Sequence, residues 1–186
     1  AQRPAGPYHL AGWSFGAVVA VEMARQLHAL GEQVGGLLLI EPTPAPTGPG
    51  QHAPLAPRVF ALDLVQTLGL DVAVPETLTT REELDAFLES LAGATGELTP
   101  GSLRRHYGVL ESHLRALDGW SARPYAGAAR VLRARDTDDA SGDRGWARWL
   151  QGGCTVESVP GDHYSLLRPP HVEALAAALR PRLTGG

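Results

Sequence analysis

Apolar positions near the start of the chain switch from the spacing of a strand to that of a helix and back again. Residues 7–11, PYHLA, form a short apolar run that predicts a strand, and residues 16–30 carry a helical pattern that ends at Gly31. Residues 34–40, VGGLLLI, are almost continuously apolar, which is typical of a strand in a parallel sheet covered on both faces. Strand, helix and strand in this order predict a βαβ unit with parallel strands and a right-handed crossover.

The middle of the chain predicts helices instead of strands. Residues 42–57 contain six prolines, which excludes a helix or a central strand there. Three helical patterns follow, at residues 58–69, 81–92 and 102–117. The first of these helices has an apolar face formed by Val59, Leu62, Val65 and Leu68. Thr80 and Glu83 have the spacing of a capping box at the start of the second. We therefore predict a helical insertion over about residues 43–125.

The strand pattern returns after this insertion. Residues 129–134 and 154–159 predict two further strands, residues 145–150 a short helix and residues 170–183 a closing helix. Together with the βαβ unit, these elements predict one α/β domain with a mostly parallel sheet across the 186 residues.

Composition narrows the functional classes. The net charge is −4 and the 16 basic residues, all arginine, are scattered, so we expect neither a nucleic-acid groove nor a membrane-binding patch. No apolar run reaches about eighteen residues and the N-terminus lacks signal-peptide features, so we expect neither a transmembrane helix nor secretion. Cys154 is the sole cysteine, which agrees with a reducing, cytoplasmic location.

The sharpest motif is Gly12-Trp13-Ser14-Phe15-Gly16, between the first predicted strand and the helix after it. A G-x-S-x-G pattern in this position is typical of a nucleophile elbow, a strained turn that points the serine hydroxyl out of the sheet. We expect both flanking glycines to be required, because a Cβ would collide with the neighbouring strand and helix. The Phe15 N–H, at the helix N-terminus, would donate to an oxyanion. The alternative is a turn whose glycines and serine serve only packing and capping.

A serine nucleophile needs a base, and His163 is the best placed of seven histidines. It lies in the loop sequence PGDHY after a predicted strand, where it could reach the elbow. We interpret the others as packing or surface residues: His9, His28, His52, His106, His113 and His171. No pair of histidines has the spacing and neighbours of a metal site, so we expect neither a metal nor a cofactor.

The base in turn needs a carboxylate to fix its tautomer. Glu41 directly follows the apolar strand over residues 34–40, and Asp136 follows the next predicted strand. Both would lie at the carboxyl edge of the sheet, where open α/β sheets bind their ligands. Either could instead be a solvated loop carboxylate, and the weaker candidates are Asp138, Asp139 and Asp162.

Residues 7–46 together with 160–179, PGDHYSLLRPPHVEALAAAL, resemble the thioesterase domains of nonribosomal peptide synthetases and some polyketide synthases. The resemblance implies an α/β-hydrolase fold in which the helical insertion is a lid. It implies that Ser14 accepts an acyl or peptidyl chain from the phosphopantetheine of a carrier domain, with His163 as the base. Water or an internal nucleophile would then release a linear or cyclic product. The implied partners are a carrier domain and the rest of a multidomain synthase.

Two departures from this family affect the site. Its modular members usually carry an aspartate where Glu41 stands, whereas stand-alone editing thioesterases use an acid one strand later, at the place of Asp136. We favour Glu41, whose additional methylene requires it to reach His163 from slightly further back. The family often has a glycine at the position of Ala17, a mild change that suits a helix.

Whole domains of this family have further strands before the elbow, and the loop after one of them supplies a second oxyanion donor. Since the first predicted strand here is the one before Ser14, we expect a partial domain. Losing one oxyanion donor typically costs about 10²–10³ in rate, and an uncovered parallel strand favours aggregation. We therefore expect this chain alone to be poorly active or to pair with the missing part. A general esterase or lipase and an inactive carrier-docking fragment are the alternatives.

Overall fold

The computed structural model describes residues 6–45, 56–96, 98–137 and 142–179. The chain divides into two compact units, one formed by Ala1–Thr47 and Ala122–Gly186, the other by Gly48–Ser121. The second unit lies within the predicted insertion of about residues 43–125. In chain order the elements are β1 (Tyr8–Trp13), α1 (Phe15–Ala29), β2 (Val34–Ile40), α2 (Pro57–Leu68), α3 (Arg81–Thr95), α4 (Pro100–Gly119), β3 (Ala129–Ala134), β4 (Cys154–Val159) and α5 (His171–Leu179).

The first unit is built on a four-stranded parallel sheet in the order β1-β2-β3-β4. Trp13 pairs with Ile40, and Ile40 with Leu132, so the carboxyl ends of the first three strands meet at one edge. Every residue of β3 is buried, as a central strand requires, and α1 contributes buried small residues such as Ala17 and Ala20. The predicted α/β class and the parallel βαβ unit are confirmed.

Two predicted elements of this unit differ from the structure. The predicted short helix over residues 145–150 is wrong: the backbone makes a single 3₁₀ turn, Ala147–Trp149. It stops there because Leu150 leaves the turn to bridge Tyr125, and the side chain of Trp146 bonds the Thr43 carbonyl (2.8 Å). The predicted closing helix over 170–183 is described as far as Leu179, and its later residues lie outside the described part of the chain.

The second unit is a helical cluster around its own apolar core. Its buried residues come from all three helices and the segment before α3: Phe60, Leu64, Leu78, Leu84, Leu88, Leu103 and Tyr107. The predicted capping box of α3 is confirmed, since Thr80 accepts from the Glu83 N–H (3.2 Å) and Glu83 accepts from the Thr80 N–H (2.8 Å). The apolar face predicted for α2 is rotated by part of a turn from the buried face in the structure. Phe60 faces the core, whereas Val59 is more than half exposed.

Candidate active site

Ser14 occupies a sharp turn between β1 and α1. Its backbone has φ 53° and ψ −122°, a conformation that costs a non-glycine residue free energy and persists only where the surroundings fix it. Two hydrogen bonds do so: the Ser14 N–H donates to the Ile40 carbonyl (3.0 Å), and the Ser14 carbonyl accepts from Ala17 (3.1 Å). The strand pairing and the first helical turn therefore hold this serine in a strained conformation at the carboxyl edge of the sheet.

The two glycines of the motif have different roles. A Cβ on Gly12 would lie 2.5 Å from the Ala17 nitrogen and closer still to the Gly16 carbonyl, so β1 and α1 cross without room for a side chain. A Cβ on Gly16 would have no described heavy atom within 4 Å apart from its chain neighbours and the backbone of its own helix. The expectation that both glycines are sterically required is right for Gly12 and wrong for Gly16.

Phe15 is the first residue of α1. The backbone N–H groups of a first helical turn point out of the helix N-terminus, and the helix dipole favours negative charge there. The position directly after Ser14 is thus electrostatically suited to an oxyanion.

His163 lies in the loop between β4 and α5, which reaches back to the residue before Ser14. The indole Nε1 of Trp13 donates to the His163 carbonyl (3.1 Å). The rings of these two residues lie 5.0 Å apart with an angle of 35° between their planes. The ring centre of Tyr164 lies 4.9 Å from that of the imidazole, and the two ring planes are nearly perpendicular. The structure therefore brings the predicted base and the nucleophile turn into contact through Trp13.

Asp162 organises the same loop. Its Oδ1 accepts from the backbone N–H groups of Tyr164 (2.9 Å) and Ser165 (2.8 Å), and the Ser165 hydroxyl accepts from the Asp162 N–H (2.9 Å). These bonds, that from Ser165 foremost, lower the pKa of Asp162 below its ordinary value of 3.8. The carboxylate of Asp162, one of the weaker acid candidates, is therefore engaged in holding the turn that carries His163.

Glu41, the favoured acid, is completely buried and adopts a positive φ of 40°. Its Oε2 accepts from the Ala134 N–H (2.6 Å) and from Nε of Arg133 (3.3 Å), and its Oε1 accepts from the Arg144 guanidinium (2.6 Å). Both arginine side chains are largely buried themselves. One carboxylate therefore ties the end of β2 to β3 and to the loop that carries Arg144.

These two arginines are not predicted from the sequence. The alternating pattern ARVLRAR indicated the strand but not that one of its arginines meets a carboxylate 92 positions earlier. A polar side chain inside an otherwise buried strand was the available signal, because buried charges are almost always paired.

Asp136, the alternative acid, lies just beyond β3 with an exposed side chain. Its backbone N–H donates to the Gly161 carbonyl (3.0 Å), two residues before His163. The structure thus joins the backbone of Asp136 to the histidine loop. Asp138 and Asp139 lie outside the described residues.

Cys154 does not have the surroundings of a nucleophile. Burial, and secondarily the charge of Asp143, raise the pKa of its thiol above 9.0, whereas reactive cysteines have lowered values. Among the described residues, no group of three or more histidine, cysteine, aspartate or glutamate side chains is arranged to hold a metal ion. Within the same residues, no helix is both long and apolar enough to span a membrane.

Comparison with known proteins decides the family. A model of the thioesterase domain family matches residues 1–183. This chain belongs to the thioesterase domain family. Orsellinic acid synthase from Beauveria bassiana (strain ARSEF 2860) is 29% identical over 195 residues, which cover 91% of this chain and 9% of that protein. The thioesterase chain thus spans less than a tenth of the length of this curated relative.

Solved structures agree with that assignment. The thioesterase domain of NocB, in a covalent complex with a fluorophosphonate nocardicin G analog, is 30% identical with a TM-score of 0.61, over 98% of this chain and 68% of that one. The four-domain nonribosomal peptide synthetase holo-AB3403 matches 96% of this chain with 14% of its own, at 26% identity and a TM-score of 0.82. The resemblance to synthase thioesterase domains and the α/β-hydrolase fold are therefore confirmed.

Proposed function

We propose that this thioesterase domain releases an acyl or peptidyl chain that is held as a thioester on the phosphopantetheine of a carrier domain. The observation that carries the proposal is the strained backbone of Ser14 at a strand-to-helix turn, with the His163 loop packed against its neighbour Trp13. Relatives of this thioesterase domain are synthases, one of them a four-domain nonribosomal peptide synthetase, which supports a carrier as the donor.

In the proposed acylation step, the Ser14 hydroxyl attacks the thioester carbonyl while His163 accepts its proton. The negative charge that forms on the carbonyl oxygen is stabilised by the N–H of Phe15. The carbon–sulfur bond then breaks, and His163 returns the proton to the departing thiol. The chain is left esterified to Ser14.

In the proposed release step, His163 takes a proton from water or from a nucleophile within the chain, and that oxygen or nitrogen attacks the ester. The ester bond breaks and the proton returns to Ser14, so the product is a free acid or a ring. No resident cofactor takes part, because phosphopantetheine arrives with the carrier as part of the substrate.

We propose Glu41 as the acid partner of His163. A carboxylate oxygen has two lone-pair sites. Among the described residues, Arg144 occupies one of the two sites on Oε1 of Glu41. The proposal requires an imidazole N–H of His163 to take the second site. The carboxylate lies between two guanidinium groups, those of Arg133 and Arg144. Asp136 is the alternative, supported by the bond between its backbone and the histidine loop.

Turnover with carrier-bound and simple substrates tests this proposal. We expect the thioesterase to cleave an acyl thioester on a carrier protein faster than an aryl ester of the same acyl group, and Ser14→Ala to abolish both reactions. Faster cleavage of the aryl ester would indicate a general esterase. Carrier binding without turnover, unchanged by Ser14→Ala, would indicate a docking module and refute the proposal.

A further inference from the structure

Trp13 connects the two ends of the candidate site. It is bonded directly to Ser14, and its indole Nε1 donates to the carbonyl of His163, 150 positions later in the chain (3.1 Å). The Trp13 ring also packs against the apolar cluster that contains Leu132 and Leu166, so the donor is held by the core and not only by the loop. The bond therefore restrains the His163 backbone relative to the residue next to Ser14.

The ring of Trp13 has a second effect on His163. Its centre lies 5.0 Å from the imidazole centre with the planes tilted by 35°. An aromatic ring at this range attracts a cation, and tryptophan does so most strongly. His163 becomes a cation each time it accepts a proton from Ser14 or from the releasing nucleophile, so the indole favours the charged form that the reaction requires.

We propose that Trp13 is a positioning residue that fixes the backbone of His163 beside the nucleophile turn and stabilises its imidazolium. This inference rests on the proposed function, in which His163 is the base. Trp13 acts through His163 and need not touch the acyl chain.

Several charged or titratable groups also surround His163. Asp162 and Tyr164 flank it on the loop, and Arg168 is near enough to Asp162 to contribute to the lowering of its pKa. The backbone of Asp136 joins the same loop, and Glu41 is the proposed acid. Substitution of Trp13 changes none of these charges, so a shift in the titration of His163 would report the indole itself.

Two substitutions separate the hydrogen bond from the ring. Trp13→Phe keeps an aromatic face and removes the N–H donor, whereas Trp13→Leu removes both. For Trp13→Phe we expect a fall in kcat of about tenfold with little change in KM, since misplacing a catalytic group by about 1 Å can cost 10²-fold. For Trp13→Leu we expect, in addition, a fall of about half a unit in the pKa of His163.

NMR of the whole chain supplies a readout that does not depend on activity. The carbonyl ¹³C shift of His163 reports its hydrogen bond, and the imidazole titration reports its pKa, with His163→Gln identifying the signals. We expect the carbonyl shift to change in both Trp13 variants and the titration to move downward in Trp13→Leu. Trp149→Phe, a half-buried tryptophan on the 3₁₀ turn Ala147–Trp149, is the matched control and should change neither.

The inference is wrong if the His163 carbonyl shift in Trp13→Phe and kcat in the same variant both equal those of the wild-type chain. It is also wrong if Trp149→Phe produces the same changes. If Trp13→Leu does not fold, the Trp13→Phe result alone decides. Failure of the proposed function looks different: the wild-type chain would show no reaction at Ser14 while the NMR changes still appeared.

Discussion

At Gly12 the crossing of β1 and α1 leaves no space for a side chain. We expect Gly12→Ala to destabilise the chain by about 1–3 kcal/mol, as overpacking does, and to slow reaction at Ser14 because the turn must shift. Gly16→Ala is the matched control, since its Cβ meets no described atom and alanine in a helix is favoured by about 0.5–1 kcal/mol. Chemical unfolding and Ser14 labelling rates measure both effects. Equal losses in the two variants would contradict the steric explanation.

The carboxylate of Glu41 has a structural role as well as a proposed catalytic one. Removing one partner of a buried ion pair costs about 3–5 kcal/mol, and Glu41→Gln would leave Arg133 and Arg144 without their anion. Glu41→Asp keeps the charge, so we expect it to unfold less easily than Glu41→Gln and to retain part of kcat. Denaturant unfolding and turnover should be measured together.

Asp136→Asn separates the two acid candidates. Because the side chain of Asp136 is exposed, we expect its loss to change unfolding by less than about 0.5 kcal/mol and to leave most of the turnover. If Asp136→Asn abolishes turnover in a fully folded chain while Glu41→Asp is fully active, Asp136 is the acid and our assignment is wrong.

At this scale the sequence predicts candidates where a local motif marks them. Ser14 is a candidate because the elbow is five consecutive residues, and the structure confirms its sharp strand-to-helix turn. His163 is a candidate because of its loop, which the structure places against Trp13. The partners of Glu41 are not marked in this way, because its two arginines approach it from 92 and 103 positions away. No local spacing encodes a pairing of that separation.

At the scale of elements, α3 begins with a capping box whose strength should depend on pH. Backbone hydrogen bonds from Thr79 and Thr80 lower the pKa of Glu83 below its ordinary value of 4.5. A lowered folded-state pKa stabilises the fold above the ordinary value, and that contribution is lost as the pH falls through the folded-state value. We expect the difference in unfolding free energy between wild type and Glu83→Gln to shrink below pH 4.5.

Thr80→Ala should cost about 1 kcal/mol, the usual loss for an N-cap. For Glu83→Gln the matched control is Glu82→Gln, which removes the same charge from the same helical turn. Denaturant unfolding, measured from about pH 3 to about pH 7 in steps of about one pH unit, would check the Thr80 and Glu83 predictions. An equal pH dependence for Glu82→Gln and Glu83→Gln would show that only the helix dipole, and not the capping box, is involved.

The helices also show why a correct element can have the wrong face. Residues 58–69 contain two overlapping apolar stripes, and spacing alone does not choose between them. The structure buries the one with Phe60, whose ring meets Tyr107 edge-on at 4.9 Å. The larger aromatic surface is buried, and Val59 is left exposed. Tertiary packing of this kind is absent from a local pattern.

At the scale of the whole molecule, the described sheet ends at β1, and α1 presents an apolar stripe of Val19, Met23 and Leu30 to solvent. Since an exposed strand edge and an exposed apolar helix face both favour association, we expect the chain to self-associate. Analytical ultracentrifugation tests this: a chain that stays monomeric across the measured concentrations would contradict it.

The central claim is that Ser14 forms the covalent intermediate, and mapping the adduct of a fluorophosphonate by peptide mass spectrometry tests it most directly. Even if the reaction is slow, we predict a single adduct on the peptide that contains Ser14, absent from Ser14→Ala and strongly reduced in His163→Gln. An adduct on another residue, an unchanged adduct in Ser14→Ala, or a folded wild-type chain that stays unmodified after exhaustive exposure would contradict the account.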